Sequence, residues 1–595
     1  MRVYSMPQTP AAVQSFPSAT QQPVFLPFSA DAFARARARH VPVFLLIGDN
    51  AEAFSDPALS LLLAEHTVPV HLRPGEREDV ELLCQRAGVL FSGEGALPLC
   101  ALMTADALPF LAAPLPPVGF ALDASRLHVW LSQAGRRFLQ NAPACTAQAS
   151  QVIRSFASAS SGKPYSPQDA AHDLRRSLLS IEDKKHGGFG DIKSPFVCAL
   201  RFAQHTGTRG DKGLHSAFSR AMDAMLASAL YDPLDGGFFR STLSSDWRVF
   251  VPEKPLGTNA LLTLCLAADG RRTEAVQTLD FLLHGFSLHG GGLSSAVYAP
   301  RQTYTFSSRQ VCAALGSENG LRACRLLSLL RQHAQEEPTV VPSRFSPVAE
   351  PAASGRTSRL DDDTPGLYPV LPHPLTPEDA AFLRRVMPAL LRARAARTPQ
   401  QPQPYVITAH CALAAAVLAV CGRRFSEPRY TQAAQRAVSF LISQPSTRHG
   451  PIPLPVSAYP ASPLYMQATC SASAALALAQ LALGSQEGME EYAQSGLRLL
   501  SAALHAFVRT DGLVMHTPKD PAAFFPRVPA IYDGELPSGA ALLVHALRMA
   551  DHLHAGAHYA DAILAIWEAA APAVKMQPLA CASLIDAVTQ ENAVL

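Results

Sequence analysis

Three carboxylates sit in glycine-bearing stretches that would present them on loops. Asp232 lies in YDPLDGGFFR (Tyr231 to Arg240), Glu253 in WRVFVPEKPLGTNA (Trp247 to Ala260) and Asp533 in YDGELPSG (Tyr532 to Gly539). Glycosidic acid/base chemistry needs two acids flanking a sugar ring, and Glu253 with Asp232 or Asp533 would supply them. The plainer role for Asp232 and Asp533 is to cap helices and brace their loops. For Glu253 it is a partly buried ion pair with Lys254 at a cavity mouth, and this is the favoured reading. Trp247, Phe238, Phe239 and Tyr231 would stack on a sugar or fill core. Together with Arg240, these loops are expected at one end of a rigid scaffold.

Other chemistries fit less well. His552, His554 and His558 stand between Asp551 and Asp561, but their spacing matches no zinc pattern, so no metal is expected. GDIKSP and GGFG lack the strand–loop–helix context of a phosphate cradle. The arginine-rich helix Phe382 to Arg397 reads as a solvated basic face. Eleven cysteines are scattered with no C-x-x-C, which excludes dithiol exchange and suits buried thiols in a reducing compartment. No cofactor is implied.

The 595 residues exceed one ordinary core, so two or more domains are expected. A net charge of +2 gives no nucleic-acid footprint. The polar, proline-rich start has no apolar h-region, and no apolar run spans a bilayer. The expectation is a cytoplasmic protein with no nucleic-acid or membrane partner.

These residues need positioning elements. Residues 1–27 read as a disordered lead. Over 28–145 strands and helices alternate, implying an open α/β sheet. Within it, VFLLIGDNAEAFSDPALSLLLAEHTVPVHL (43–72) reads strand, loop, helix, strand, the opening of a thioredoxin-like fold. Yet the strand Val43 to Ile47 runs into Gly48, Asp49, Asn50 and Ala51 with no cysteine near. From 165 to 595 amphipathic helices alternate with Gly/Pro-rich loops. Helix starts at Tyr430, Tyr492 and Tyr559 share a Tyr-x-x-small pattern that fits a helical-hairpin repeat, a solenoid or a closed toroid. A Pro/Ser-rich insertion at about 335–374 interrupts the array.

HGGFGDIKSP (His186 to Pro195), the three loop motifs above and the N-terminal half together resemble the spermatogenesis-associated thioredoxin-like family, which includes the YyaL-type proteins. The resemblance implies an α/β thioredoxin-like domain followed by an all-α (α/α) six-hairpin toroid of the kind found in glycosidases and N-acylglucosamine epimerases. The departures are specific. The family's CHWCH segment is missing between Gly48 and the helix start Phe54-Ser55-Asp56, although Pro98 holds the cis-proline position. On W-x-V-P-H-F-E-K-M-L-Y-D-N-A the chain keeps Trp247, Val249, Glu253, Lys254, Leu256, Asn259 and Ala260, but places Val251 at the His and Thr258 at the Asp. The family's D-A-D falls on Tyr298, Ala299 and Pro300, and its D-D-K on Gln403, Pro404 and Tyr405. The Trp and Asn of L-T-S-W-N-G become His410 and Cys411, and P-S-G-N keeps Pro537, Ser538 and Gly539 but ends in Ala540. Carried over residue by residue, the resemblance adds Lys254, Asn259 and Ser538 to Arg240, Phe238 and Trp247 as candidate ligand contacts, and His410, standing at the family's Trp, is a further candidate. It implies a catalytically eroded member that binds a carbohydrate-like ligand or a protein partner. The alternative is a carbohydrate-active enzyme, a sugar epimerase or glycoside hydrolase, using Glu253, Asp232 and Asp533.

Overall fold

The computed structural model describes residues 25–49, 54–117, 119–156, 164–190, 192–328, 368–371, 375–397, 399–448, 452–460, 467–520, 523–553 and 559–590. Most of the expected lead, most of the 335–374 insertion, His554 and His558 lie outside them.

The N-terminal domain is a five-stranded sheet of β1 (Leu26–Pro27), β2 (Val43–Ile47), β3 (Val68–Leu72), β4 (Leu99–Met103) and β5 (Pro109–Pro114), ordered β1-β3-β2-β4-β5. The first three run parallel, and β4 and β5 are antiparallel. Leu26–Pro27, read with the lead, adds an edge strand because it pairs with Val70 and His71. The uninterrupted run VFLLI follows from burial on both faces. Val43, Leu45 and Ile47 pack under α1 (Ala30–Arg39) and α3 (Glu78–Ser92), while Phe44 and Leu46 pack against α2 (Pro57–His66) and α4 (Ala124–Gln140). Helix α5 (Ala142–Arg154) joins the same domain, with Cys145 and Ala149 in one core and Val152 in the other. Asp56 caps α2 by accepting from Leu59 N at 2.9 Å, with Pro57 at the first helical position. The Leu97–Pro98 bond is cis, as the resemblance implies.

The C-terminal domain is a closed ring of helical hairpins. Outer helices are α6 (Pro167–Ser180), α8 (Lys212–Leu226), α10 (Arg272–Gly285), α16 (Pro428–Ser443), α18 (Glu490–Phe507) and α20 (Ala560–Met576). Each precedes an inner helix: α7 (Val197–Thr208), α9 (Leu256–Ala268), α15 (Thr408–Phe425), α17 (Cys470–Gly484), α19 (Gly539–Leu553) and α21 (Ala582–Thr589). The inner helices touch in the order α7, α9, α15, α17, α19, α21 and back to α7, which closes an (α/α)6 toroid. Three short helices, α11 (Arg301–Tyr304), α12 (Ser308–Leu315) and α13 (Ser317–Leu326), and the 19-residue α14 (Pro377–Ala395) interrupt the ring before α15. Composition separates the two layers. In α17, CSASAALALAQLALG is buried from Cys470 to Leu483, and its alanines and serines allow close approach on every side. Outer α16 and α18 bury only one stripe. The Tyr-x-x-small pattern marks the outer starts, and the Tyr430 hydroxyl donates to Asp280 of the preceding outer helix at 2.8 Å.

Because every inner helix follows an outer one, all six inner helices run the same way. Loops leading into inner helices therefore share one end of the ring. The thioredoxin-like domain is seated on that end. Phe28 and Phe33 pack their rings on Phe524 and Phe525, with centroids 5.5–5.6 Å apart. Ser471 donates to Glu78 at 2.5 Å and Arg86 to Gln577 at 2.8 Å. Among the described residues, no helix is long and apolar enough to cross a membrane.

Candidate functional site

Between the two domains lies a cavity of about 90 Å³. The toroid contributes Arg240, Glu253, Tyr405, His410, Asp533, Glu535 and Ser538, and the thioredoxin-like domain contributes Asp49, Glu78 and Glu81. The sheet places Asp49 just beyond the end of β2, where the resemblance puts the reactive cysteines. The Tyr405 hydroxyl donates to both carboxylate oxygens of Asp49, at 2.9 and 3.1 Å. A carboxylate on a toroid tyrosine thus occupies the edge that a redox centre would use.

Arg240 organises the toroid side. Its guanidinium grips Glu253 with two parallel bonds, Nε to Oε2 at 3.0 Å and Nη2 to Oε1 at 2.8 Å. Nη1 donates to Glu535, whose other oxygen accepts from Thr258 at 2.7 Å. Thr258, at the family's aspartate position, is therefore a donor to a carboxylate rather than a carboxylate. Burial opposes charge on Glu535, but Arg240 overcomes it and holds the group below its ordinary range. Burial raises Asp49, reinforced by Glu253, and raises Glu81 further.

The expected Glu253–Lys254 pair does not form. Glu253 and Lys254 begin the short strand β6 (Glu253–Pro255), and successive strand residues point to opposite faces. Lys254 turns inward, fully buried, and donates to Asp232 at 2.7 Å and to Gly236 O at 2.8 Å. Gly236 sits at φ +80°, and a Cβ there would lie 2.5 Å from Gln277 O, so the turn that offers this carbonyl needs glycine. Arg394 of α14 closes the network on Asp232 at 2.9 and 3.0 Å and on Asp235 at 3.2 Å. Burial alone would raise Asp232, but Arg394 and Lys254 hold it well below the carboxylate range. The arginines of the Phe382 to Arg397 stretch are thus solvated, as its charge implies, except Arg394, which is 1% exposed and in register with the buried Leu383, Val386 and Leu390.

Five of the ten candidates line the cavity: Glu253, Asp533, Arg240, Ser538 and His410. Asp533 braces its loop, accepting from Ser538 N at 3.0 Å and Ser583 N at 2.8 Å, and from the Ser583 hydroxyl. Burial pushes its carboxyl up to about 6. Asp232, Lys254, Trp247, Phe238 and Asn259 do not line the cavity. Trp247 is buried and donates to His186 O at 3.0 Å, and Phe238 packs on Tyr231 with centroids 4.9 Å apart. Asn259 ties down the loop, accepting from Phe238 N at 2.6 Å and donating to Phe238 O and Pro255 O at 2.9 and 2.7 Å. These side chains hold the wall from behind.

The sequence reading missed Glu535, Glu78, Glu81 and His516 as cavity residues. Glu535 stood inside a motif already singled out, two residues after Asp533. His516 is 3% exposed, and neither ring nitrogen has a hydrogen-bond partner, although Nδ1 stands 3.6 Å from Glu78 Oε2; Nδ1 of His410 also lacks a hydrogen-bond partner. Burial holds His410 below the ordinary histidine range. Among the described residues no group of three or more side chains is gathered as a metal site.

Residues 15–157 match the family described as Thioredox_DsbH, protein of unknown function, DUF255. Over this stretch the chain is similar to that thioredoxin-like family. It is 23% identical over 302 residues to human spermatogenesis-associated protein 20, covering 45% of this chain and 38% of that protein. It is 24% identical over 262 residues to uncharacterized protein B0495.5 of Caenorhabditis elegans, covering 39% of this chain and 34% of the relative. The matches therefore span little more than a third of each relative's length. Among solved structures, a D-mannose isomerase aligns at TM-score 0.41 and 9% identity, over 69% of this chain and 88% of that one. The cellobiose 2-epimerase of Spirochaeta thermophila aligns at TM-score 0.36 and 17% identity, over 68% and 86%.

Proposed function

We propose that the chain binds a small hydroxyl-rich ligand of carbohydrate type in the interdomain cavity, without thiol–disulfide exchange and without acid/base turnover by Glu253, Asp232 or Asp533. The observation that carries this reading is that each of those carboxylates is already committed. Glu253 is clamped by Arg240, Asp232 is buried between Lys254 and Arg394, and Asp533 holds two serines. A general acid or base must instead be free to exchange a proton with substrate. The cavity still offers polar atoms to a ligand, including ring nitrogens of His516 and His410 that lack hydrogen-bond partners. At about 90 Å³ it holds a few waters or a polyol of that scale, well below the roughly 300–1,000 Å³ of larger ligand pockets.

The test is calorimetry of the full chain with glycerol, glyceraldehyde and a panel of monosaccharides, alongside NMR assays for epimerisation and glycoside cleavage. Binding of a polyol that weakens in Arg240→Gln, without turnover, is the expected result. A second reading, a carbohydrate-active enzyme, draws on Asp533 alone, since a cavity carboxyl near 6 lies in the range of a general acid. Turnover lost in Asp533→Asn would establish it and overturn the binding-only proposal.

A further inference from the structure

The end of the toroid away from the thioredoxin-like domain has its own cavity, of about 250 Å³. It opens among three inner helices, towards the C-terminal ends of α9 and α15. Arg201 and His205 come from α7, Leu264 from α9, and Val420, Arg423 and Arg424 from α15. Three guanidiniums line it, and no acidic side chain does.

Helix dipoles account for part of this. Arg423 and Arg424 stand in the last turn of α15, where a cation complements the exposed carbonyls. Both are exposed, and Arg423 spends one donor on Ser485 Oγ at 2.9 Å. Arg201 is different. It belongs to the second turn of α7, far from that helix's C-terminus, and is only 6% exposed. Its hydrogen bond to His205 Nε2 is long, at 3.4 Å. The nearby carboxylate, Asp586, is taken by His205 Nδ1 at 2.9 Å. Among the described residues, none of the three arginines has a carboxylate within ion-pair distance. Asp586 offsets the Arg201 charge through space and the Cys265 sulfur takes one donor, but a guanidinium has five donors, and no carboxylate among the described residues accepts from this one.

We propose that this cavity is a second binding site, for a phosphate group. A tetrahedral dianion accepts on several oxygens at once, which suits planar forks arriving from different helices. A carboxylate brings one charge and two oxygens in a plane, and satisfies fewer of these donors. The apolar walls, Leu264 and Val420, leave room for a small organic residue on the phosphate.

The test titrates inorganic phosphate, and separately glycerol 3-phosphate, into the full chain by calorimetry at constant ionic strength, with acetate as the monoanion control. We expect phosphate to bind and acetate to bind more weakly. The exposed pair of changes Arg423→Gln and Arg424→Gln is expected to weaken phosphate by about tenfold or more, the scale of lost charge-assisted hydrogen bonds. Tighter binding of glycerol 3-phosphate assigns the site to a phosphomonoester, and equal binding assigns it to the phosphate itself. Arg201→Gln should abolish binding; should it not fold, the rim pair still decides. Failure of both phosphates to bind, or affinity unchanged in the rim variant, overturns the proposal.

Discussion

Glu253 and Lys254, neighbours on strand β6, face opposite ways and serve separate ion-pair networks. Glu253 belongs to the cavity wall with Arg240 and Glu535, and Lys254 to a buried cluster with Asp232 and Arg394. The alternation along the strand keeps the cavity wall apart from the buried cluster behind it.

That separation makes a double-mutant cycle informative. Asp232→Asn leaves Lys254 and Arg394 buried with less compensation, and should cost on the order of 3–5 kcal/mol. Adding Lys254→Met removes one stranded charge, while Arg394 keeps Asp235, so the pair should couple by about 1–3 kcal/mol in urea unfolding. Glu253→Gln with Lys254→Met should be additive to within about 0.5 kcal/mol. Strong coupling in the second pair would contradict the opposed geometry.

Asp533 supplies a pH signature. Its folded carboxyl titrates near 6, above the ordinary 3.8, so between those values the folded state holds more of the proton than the unfolded chain. Its contribution to stability therefore falls as pH rises from about 4 to about 6. Subtracting the unfolding free energy of Asp533→Asn from that of the wild type should leave this downward slope. A difference that is flat or rises with pH across the window would show that the carboxyl is not held up by burial.

The thiols should be quiet. Burial pushes Cys265 up to about 11, Cys411 and Cys421 up to about 12, and Cys84, Cys100 and Cys470 further still. Since the thiolate is the reactive form, iodoacetamide at pH 7.5 should label partly exposed Cys312 first and the buried thiols only after denaturation. Insulin disulfides should not be reduced with a reducing partner. Rapid native labelling of Cys84 or Cys100 would be inconsistent with this core.

Much of the architecture is legible in the sequence because its causes are local. The run VFLLI announces a strand covered on both faces, and the alanine-rich stretches announce helices packed on all sides. The glycine-bearing motifs mark the mouth loops. Which acid meets which base is not local, because the ring must close before Glu535 meets Arg240 or Asp49 meets Tyr405. Arg394 left a readable trace, since Leu383, Val386, Leu390 and Arg394 form one buried stripe at helical spacing. An arginine in register with an apolar stripe signals a buried partner, and that partner is Asp232.

The contact between Asp49 and Tyr405 should hold the two domains in register at the cavity. Tyr405 is 6% exposed, its ring lies under the Arg73 guanidinium at 4.9 Å, and its hydroxyl reaches both oxygens of Asp49. Tyr405→Phe removes the donor and leaves a half-buried carboxyl facing Glu253. It should cost about 1–3 kcal/mol in urea unfolding and speed amide exchange at Gly48. Asp49→Asn keeps an acceptor for the tyrosine and removes the repulsion from Glu253. Burial and Glu253 raise the Asp49 carboxyl, so the ionised group loses stability as pH climbs above its ordinary range. At pH 7, therefore, Asp49→Asn should be neutral or stabilising where Tyr405→Phe is destabilising. The reverse order would mean that the charge on Asp49, rather than the hydroxyl of Tyr405, holds the domains together.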